Sequence, residues 1–210
     1  FGLILCIFKH LKTNTMKKLL LLLLLVPMVS FGQVSLEVSF EQVTEGAKFY
    51  QGKIATLNPS IVVDKDGTAA ELYSSTMNWI NEAYKSPEDV IKGNVENKYI
   101  KINGFTSSLM QQTTLGTTSF KDARYTIEFR FKENKFKVDI INLEQYFPSS
   151  QYTSAKWYNV PMEFKVENRK GKTYKDGVAN LASVTTHFEN IINSVKEYNI
   201  NTIDSSDFDF

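Results

Sequence analysis

RYTIEFRFKENKFKVDII, residues Arg124 to Ile141, is the stretch on which the fold turns. Tyr125, Ile127, Phe129 and Phe131 recur at every second position, Lys132-Glu133-Asn134-Lys135 interrupts them, and Phe136, Val138 and Ile140 resume the alternation. A period of two belongs to a strand with one buried and one wet face. A two-residue turn at Glu133-Asn134 pairs Phe131 with Phe136, Phe129 with Val138 and Ile127 with Ile140, so every large apolar side chain lands on one face. A slip of one residue would turn the whole set towards water, and burial therefore specifies the register. The same register sets Arg130 opposite Lys137 and Glu128 opposite Asp139. The oppositely charged diagonals, Arg130 to Asp139 and Glu128 to Lys137, offset those like-charge contacts.

A hairpin with one apolar face needs a cover, and two helical patterns supply it. Upstream, Asp64-Lys65-Asp66-Gly67 reads as a turn, and Thr68 with Glu71 three residues on forms a capping box that starts a helix at Thr68. Leu72, Thr76, Trp79, Ile80 and Ala83, widened by Tyr73, Met77 and Tyr84, make its buried face. Pro87 stops it near Lys85. Ser86-Pro87-Glu88-Asp89 then opens a short helical turn through Ile91. Downstream, Val178, Leu181, Val184, Phe188, Ile191, Ile192 and Val195 give an amphipathic helix of about 20 residues ending near Asn199.

The remaining segments read as strands of decreasing clarity. Ile100 and Ile102 alternate with Tyr99 and Lys101, Gly104 closes that strand, and Leu109 to Phe120 is a weaker strand candidate rich in Thr and Ser. Residues 33–61 carry a weak alternation, Val34, Leu36, Val38 and Phe40, that suggests a strand plus loops. Within 144–177, Trp157, Tyr158, Met162, Phe164 and Val166 point to an added strand and Asn168 to Lys172 to a turn. The expected layout is α+β: an antiparallel sheet of about four to five strands with two helices packed on one face, in the order βαββββα.

ELYSSTMNWINEAYKSPEDVI, residues 71–91, followed by a strand ending in Gly104 and by the RYTIEFRFKENKFKVDII hairpin, resembles the secreted bacterial domain of unknown function described as having a TBP-like fold, typical of Bacteroidota. The resemblance spans roughly Ile61 to Tyr198, with Leu72-Tyr73, Trp79 and the hairpin as its most specific parts. It implies the fold and an envelope or extracellular location. It supplies no activity, ligand or catalytic residue.

The other sharp signal is at the N-terminal side. MKKLLLLLLLVPMVSFGQ, residues 16–33, holds an apolar run of 11 residues, Leu19 to Val29, that contains Pro27. A bilayer-spanning helix takes about 20 apolar residues, so the run is too short for an anchor. Lys17 and Lys18 precede it, and Ser30 and Gly32 set small side chains at minus three and minus one of a cut before Gln33. Residues 16–32 thus read as a cleaved secretory signal, of the kind SFGQ marks in the same bacteria, and residues 1–15 as an upstream mis-called start. The organisation expected is an N-terminal strand or extension at 33–60, the TBP-like domain at 61–200 and an acidic tail at 201–210. Cys6, the single cysteine, precedes the cut, which leaves a thiol-free exported chain without a lipid-accepting cysteine or a disulfide.

Removing residues 1–32 takes away four lysines and no acid, turning 24 basic and 23 acidic residues into 20 and 23, a formal net charge of about −3. That sign argues against a general nucleic-acid binder, whose affinity rests on phosphate neutralisation. Asp64, Asp66 and Gly67 depart from a calcium loop, because the glycine comes fourth and Ala69 and Ala70 follow. His187, alone in the mature chain, lacks the partners of a zinc site or of a Cys-His pair and reads as a packing residue at the border of the last helix. Glu88-Asp89 and Asp207-Asp209 are explained by helix capping and by a solvated tail. Trp79, Tyr73 and Tyr84 fall on the helical core stripe, whereas Trp157-Tyr158 is the better candidate for an exposed aromatic contact. Tyr99, Lys101, Thr126, Glu128, Arg130, Lys137 and Asp139 mark the outer sheet face.

The sequence thus designates no catalytic, cofactor-binding or metal-ligating residue and no cofactor. The expected role is a non-catalytic periplasmic or secreted binding module whose partner is a protein, glycan or small molecule, without a membrane span after cleavage. The alternatives are a hydrolase with unplaced carboxylates and, more remotely, a polyanion binder using Lys101, Arg130, Lys135 and Lys137. N-terminal sequencing of exported material is expected to begin at Gln33; recovery from the cytoplasm with residues 16–32 intact would contradict the signal.

Overall fold

The computed structural model describes residues 33–45, 51–151 and 153–198, so the predicted leader and the acidic tail lie outside the described residues. The elements are β1 (Val38–Val43), β2 (Gly52–Leu57), β3 (Ser60–Asp64), α1 (Ala69–Ala83), α2 (Pro87–Val90), β4 (Ile91–Val95), β5 (Tyr99–Thr114), β6 (Thr117–Lys132), β7 (Lys135–Phe147), β8 (Lys156–Asn159), β9 (Glu163–Asn168) and α3 (Lys175–Glu197). The class is α+β with antiparallel strands. Its strand and helix counts exceed the expectation: a six-stranded sheet in the order β3-β7-β6-β5-β4, with β8 on β7, and a second, three-stranded sheet β1-β2-β9, with three helices among the described residues.

The β6–β7 hairpin carries the register that its alternation demands. Phe131 faces Phe136, Phe129 faces Val138 and Ile127 faces Ile140. Asn134 takes a φ of 57°, a left-handed conformation asparagine tolerates. Its backbone N–H donates to Gly67 O at 2.8 Å and its side chain accepts from Gly67 N at 3.1 Å, tying the turn to the loop before α1. The inward face is closed by both long helices: Trp79 of α1 stands against Phe129 at 6.5 Å between ring centroids, Tyr73 against Phe131 at 5.8 Å, and Phe188 of α3 against Tyr125 at 5.4 Å. Phe129, Phe136, Phe188, Ile80 and Ile192 are fully buried in one continuous core.

Helix α1 begins where the capping box places it, with Thr68 Oγ1 accepting from Glu71 N and the Glu71 carboxylate accepting from Thr68 N. At its other end Tyr84 is already extended and its hydroxyl bonds that of Tyr125 beneath it. The end of α3 is held by Lys65, whose ammonium donates to the carbonyls of Val195 at 3.0 Å and Tyr198 at 2.7 Å; a cation there also suits the negative end of the helix. Burial lowers the Lys65 pKa.

Three readings are corrected by backbone geometry. Gly104 does not end its strand: β5 runs on to Thr114, and the glycine is needed because a Cβ there would sit 2.2 Å from the Tyr125 ring. The stretch Leu109 to Phe120 is two strands, joined by Leu115-Gly116 with both φ values positive, a turn its Thr-rich flanks disguise. The count of four to five strands fails because residues 33–60 and 144–177 supply the short strands β1, β2, β8 and β9, and because Ile91, read as the end of a helical turn, opens β4; in β1 and β8 a single row of packed neighbours leaves little alternation in the residues. β3 and β8 share one edge of β7 end to end, β3 along Lys135 to Asp139 and β8 along Glu144 to Phe147.

α3 joins the two sheets. Its N-terminal turn approaches β9 so closely that a Cβ on Gly177 would lie 1.8 Å from the Lys165 carbonyl oxygen. On its flank, Asn193 and Glu189 accept from the backbone N–H of Val34 and Leu36 at 2.7 and 2.8 Å, laying the buried Val34 and Leu36 along the helix. His187 packs edge-on against Tyr125 at 5.1 Å, with Nε2 buried and without a hydrogen-bond partner.

Two outcomes follow from this packing. Phe129→Ala is expected to cost about 3–5 kcal/mol, the usual range for emptying a fully buried phenylalanine site, measured by urea unfolding. Burial holds the His187 imidazole below its ordinary pKa of 6.5. The unfolded chain therefore binds the proton more readily, and this contribution to stability is complete above about pH 6.5 and is lost as pH falls towards the folded value. The carboxylates with lowered pKa values, Asp139, Glu144 and Asp176, lose theirs only below about pH 4.5. Unfolding free energy is thus expected to drop as pH falls from 7 towards the carboxylate range in the wild type and to stay level over the same window in His187→Gln.

Candidate functional site

The outer face of the large sheet has two unlike halves, both made by the alternation that buries the other side. Towards the β6–β7 turn it is charged. Glu128, largely buried under its neighbours, receives Arg130 at 2.8 Å, Lys101 at 3.5 Å and the Tyr99 hydroxyl at 3.1 Å. Asp139 receives Lys137 at 2.7 Å, Arg130 at 3.7 Å and Ser60 Oγ at 2.7 Å. Burial pushes the Asp139 carboxyl up, but these cations and the serine outweigh it and hold it below the usual carboxylate range. The Arg130 to Asp139 diagonal forms as the register requires. Glu128 takes Lys101 of β5 in place of Lys137, which turns along its own strand to Asp139.

Towards β8 the same face becomes aromatic. The register sets Phe105 beside Arg124, Arg124 beside Glu144, and Tyr146 beside Trp157. Arg124 Nε donates to Glu144 at 2.6 Å and Nη2 at 3.2 Å, a two-pronged pair that keeps the guanidinium flat. The guanidinium lies over the Trp157 ring at 4.6 Å, Tyr146 touches that ring at 5.0 Å, and Phe105 meets it edge-on at 6.5 Å. The bond to Arg124 holds the Glu144 carboxyl below its ordinary pKa, and Glu144 in turn raises that of Arg124. Phe105 remains 60% exposed. The result is a preorganised surface of three rings and one locked ion pair, able to stack against a planar or apolar ligand and to exchange hydrogen bonds at its rim.

The residues singled out from sequence are distributed as follows. Trp157 sits in this patch, half-buried, while Tyr158 points to the opposite side of β8 and meets Phe147 edge-on at 5.1 Å. Trp79 is core, its Nε1 donating to Ser194 Oγ at 2.8 Å, and Tyr73 and Tyr84 pack beside the same core. Asp64 ends β3 opposite Lys135, and Lys65 and Gly67 lie in the loop bonded to Asn134. Glu88 and Asp89 lie in the first turn of α2. Asp207 and Asp209 are outside the described residues. Among the described residues no three His, Cys, Asp or Glu side chains come together as a metal site would require, and no helix is long and apolar enough to cross a membrane.

Phe105, Arg124, Glu144 and Tyr146 escape the sequence reading. Phe105 follows the glycine that reads as a strand end, and Arg124 and Glu144 are 20 residues apart in an ordinary mixed-charge pattern. A signal did exist for one of them: Arg124 begins the alternating hairpin on its polar side, so its neighbours across the sheet follow once β8 is placed.

Residues 61–146 match the family described as a domain of unknown function (DUF4468) with TBP-like fold. No curated protein matches the chain significantly. A crystal structure of a DUF4468 family protein from Bacteroides ovatus aligns with a TM-score of 0.51 at 14% identity, covering 67% of this chain and 84% of that one. A TBP-like protein from Parabacteroides distasonis aligns with a TM-score of 0.45 at 14% identity, covering 67% and 92%. At 14% identity the first likeness speaks to the fold alone. Residues 61–146 are a DUF4468 domain, and the chain that carries them has its TBP-like α+β fold.

Proposed function

We propose that this protein is an exported, non-catalytic binding module that engages a protein, glycan or small molecule through the aromatic half of its outer sheet face. The observation that carries the reading is the Phe105, Tyr146, Trp157 cluster with Arg124 locked over it. Large rings on a soluble surface usually mark a contact site, and here they stand on paired strands rather than on a loop. The leader-like segment at 16–32 and the Bacteroidales relatives are compatible with export.

The charged half of the face is poorly suited to a polyanion. Lys101, Arg130 and Lys137 are committed to Glu128 and Asp139, so the basic patch that nucleic acid or heparin needs is interrupted by two carboxylates. Hydrolysis draws no support from Glu144, which is held by Arg124, or from the His187 imidazole, which packs against the rings of Tyr125 and Phe188.

A photo-crosslinking side chain installed at Phe105 tests the reading in the native envelope. A discrete adduct is expected, reduced about fivefold or more by Trp157→Ala, as for loss of an aromatic anchor worth about 1 kcal/mol or more. Thermal melting should change little, because Trp157 lies outside the main core. Equal labelling with and without Trp157, or from a crosslinker at the charged position Lys101 instead, would move the contact elsewhere.

A further inference from the structure

The β5–β6 hairpin extends beyond the body of the sheet as a two-stranded ribbon, exposed from Gln112 to Phe120. Its turn, Leu115-Gly116, has φ values of 50° and 82°, the two-residue form that makes the flanking pair, Thr114 and Thr117, exchange both ladder bonds. The pairs then alternate. Thr113 faces Thr118 and Gln111 faces Phe120 at positions whose N–H and C=O groups point away from the partner strand.

On the β5 side those outward groups are satisfied. Asn180 of α3 accepts from Gln111 N at 2.7 Å and donates to Gln111 O at 3.0 Å, and Asp176 accepts from Thr113 N at 2.7 Å. Side chains of the helix stand in for a neighbouring strand. On the β6 side nothing does so: β7 covers β6 only from Ala123 onward, and along Thr117 to Asp122 no neighbouring strand is present among the described residues.

Free edges are normally guarded by charge, proline or a bulge. From Ile102 to Phe120 the chain has no charged residue and no proline, so this edge is guarded only at Lys121-Asp122, where it meets the sheet. Beside it Phe120 is 63% exposed. Where β7 turns away, Phe147 and Tyr158, with the Lys121 ammonium 5.3 Å over the Phe147 ring, line a mainly apolar depression. With no side chains standing in as Asn180 and Asp176 do on the β5 side, a row of outward peptide groups is matched along its length by another extended backbone, and the rings on either side favour apolar side chains on it.

We infer that the β6 edge from Thr117 to Asp122 is a strand-addition site that takes an extended, alternately apolar segment of a partner protein. The added strand continues the line that β7 vacates. A second copy would present the same Thr117 to Asp122 edge, in which Phe120 is the one large apolar side chain, and so does not supply the alternately apolar segment that the rings favour. The inference stands apart from the aromatic patch, since it rests on backbone groups and on none of Phe105, Arg124 or Trp157.

The probe is a fluorescein-labelled peptide, Lys-Val-Thr-Val-Thr-Val-Thr-Lys, titrated by anisotropy against the full chain. Saturable binding is expected, with hydrogen exchange slowed at the Thr118 and Phe120 amides. Thr118→Pro removes an outward amide without touching the β5–β6 bonds and is expected to weaken binding about tenfold or more, the equivalent of about one to two strand hydrogen bonds. The same peptide N-methylated at every backbone amide, which leaves it a donor along neither edge, should lose as much against the unaltered protein, which covers the case in which the proline variant misfolds. Absence of binding, binding insensitive to both changes, or no slowing at Thr118 and Phe120 would overturn the inference. So would concentration-dependent self-association that Thr118→Pro abolishes without peptide binding, which would assign the edge to a second copy.

Discussion

The burial of one face of the β6–β7 hairpin under two helices is the constraint from which the rest of this structure follows. Phe129, Phe131, Phe136, Val138 and Ile140 can leave water together only in one register, and only if something apolar lies on them. α1 brings Trp79 and Tyr73, and α3 brings Phe188 and Ile192. Burying a phenylalanine is worth about 1.5–3 kcal/mol on a transfer basis, so the three of the hairpin outweigh any single hydrogen bond or ion pair of its outer face. The outer face is thereby free to be chosen for something other than stability.

Close backbone approach fixes how the cover sits. Gly104 lets the Tyr125 ring lie across β5, where it meets Phe188 and His187 and bonds Tyr84. Gly177 lets the first turn of α3 touch the backbone of β9. Neither glycine has a positive φ; each is small because a neighbour occupies the space of its side chain. With both contacts made, α3 serves two sheets at once, and its polar side chains are drawn into backbone pairing: Asn193 and Glu189 hold Val34 and Leu36, while Asp176 and Asn180 close one edge of the β5–β6 ribbon. A helix that terminates strands in this way also decides which edges stay open.

The outer face shows how the same alternation can produce two chemistries. In the charged half Lys101, Arg130 and Lys137 each have a carboxylate within reach, and a carboxylate shared among several cations leaves little net field for a polyanion. In the aromatic half the single ion pair, Arg124 with Glu144, orients the guanidinium over Trp157. The first arrangement consumes its own charge, and the second presents shape. Recognition by rings on strands and recognition by a bare strand edge are separate physical resources, one based on dispersion and stacking and the other on directional peptide hydrogen bonds.

What could be read from the residues was whatever is local or periodic. The Thr68–Glu71 capping box, the apolar stripe of α3 and the turn at Glu133-Asn134 with its full register are each set within about 20 residues by propensity and one-sided burial. The strands β1, β2, β8 and β9 could not be read so well, because each depends on a partner far away in sequence; β9 pairs with β2 more than 100 residues upstream. Gly104 misled for a related reason: its smallness answers to Tyr125, and nothing in its own neighbourhood shows that. Trp157 was legible as an aromatic in a polar segment. Its surroundings were decided only by tertiary structure, because the register of three separate strand pairs, β5–β6, β6–β7 and β7–β8, must be in place before Phe105, Arg124, Glu144 and Tyr146 stand next to it.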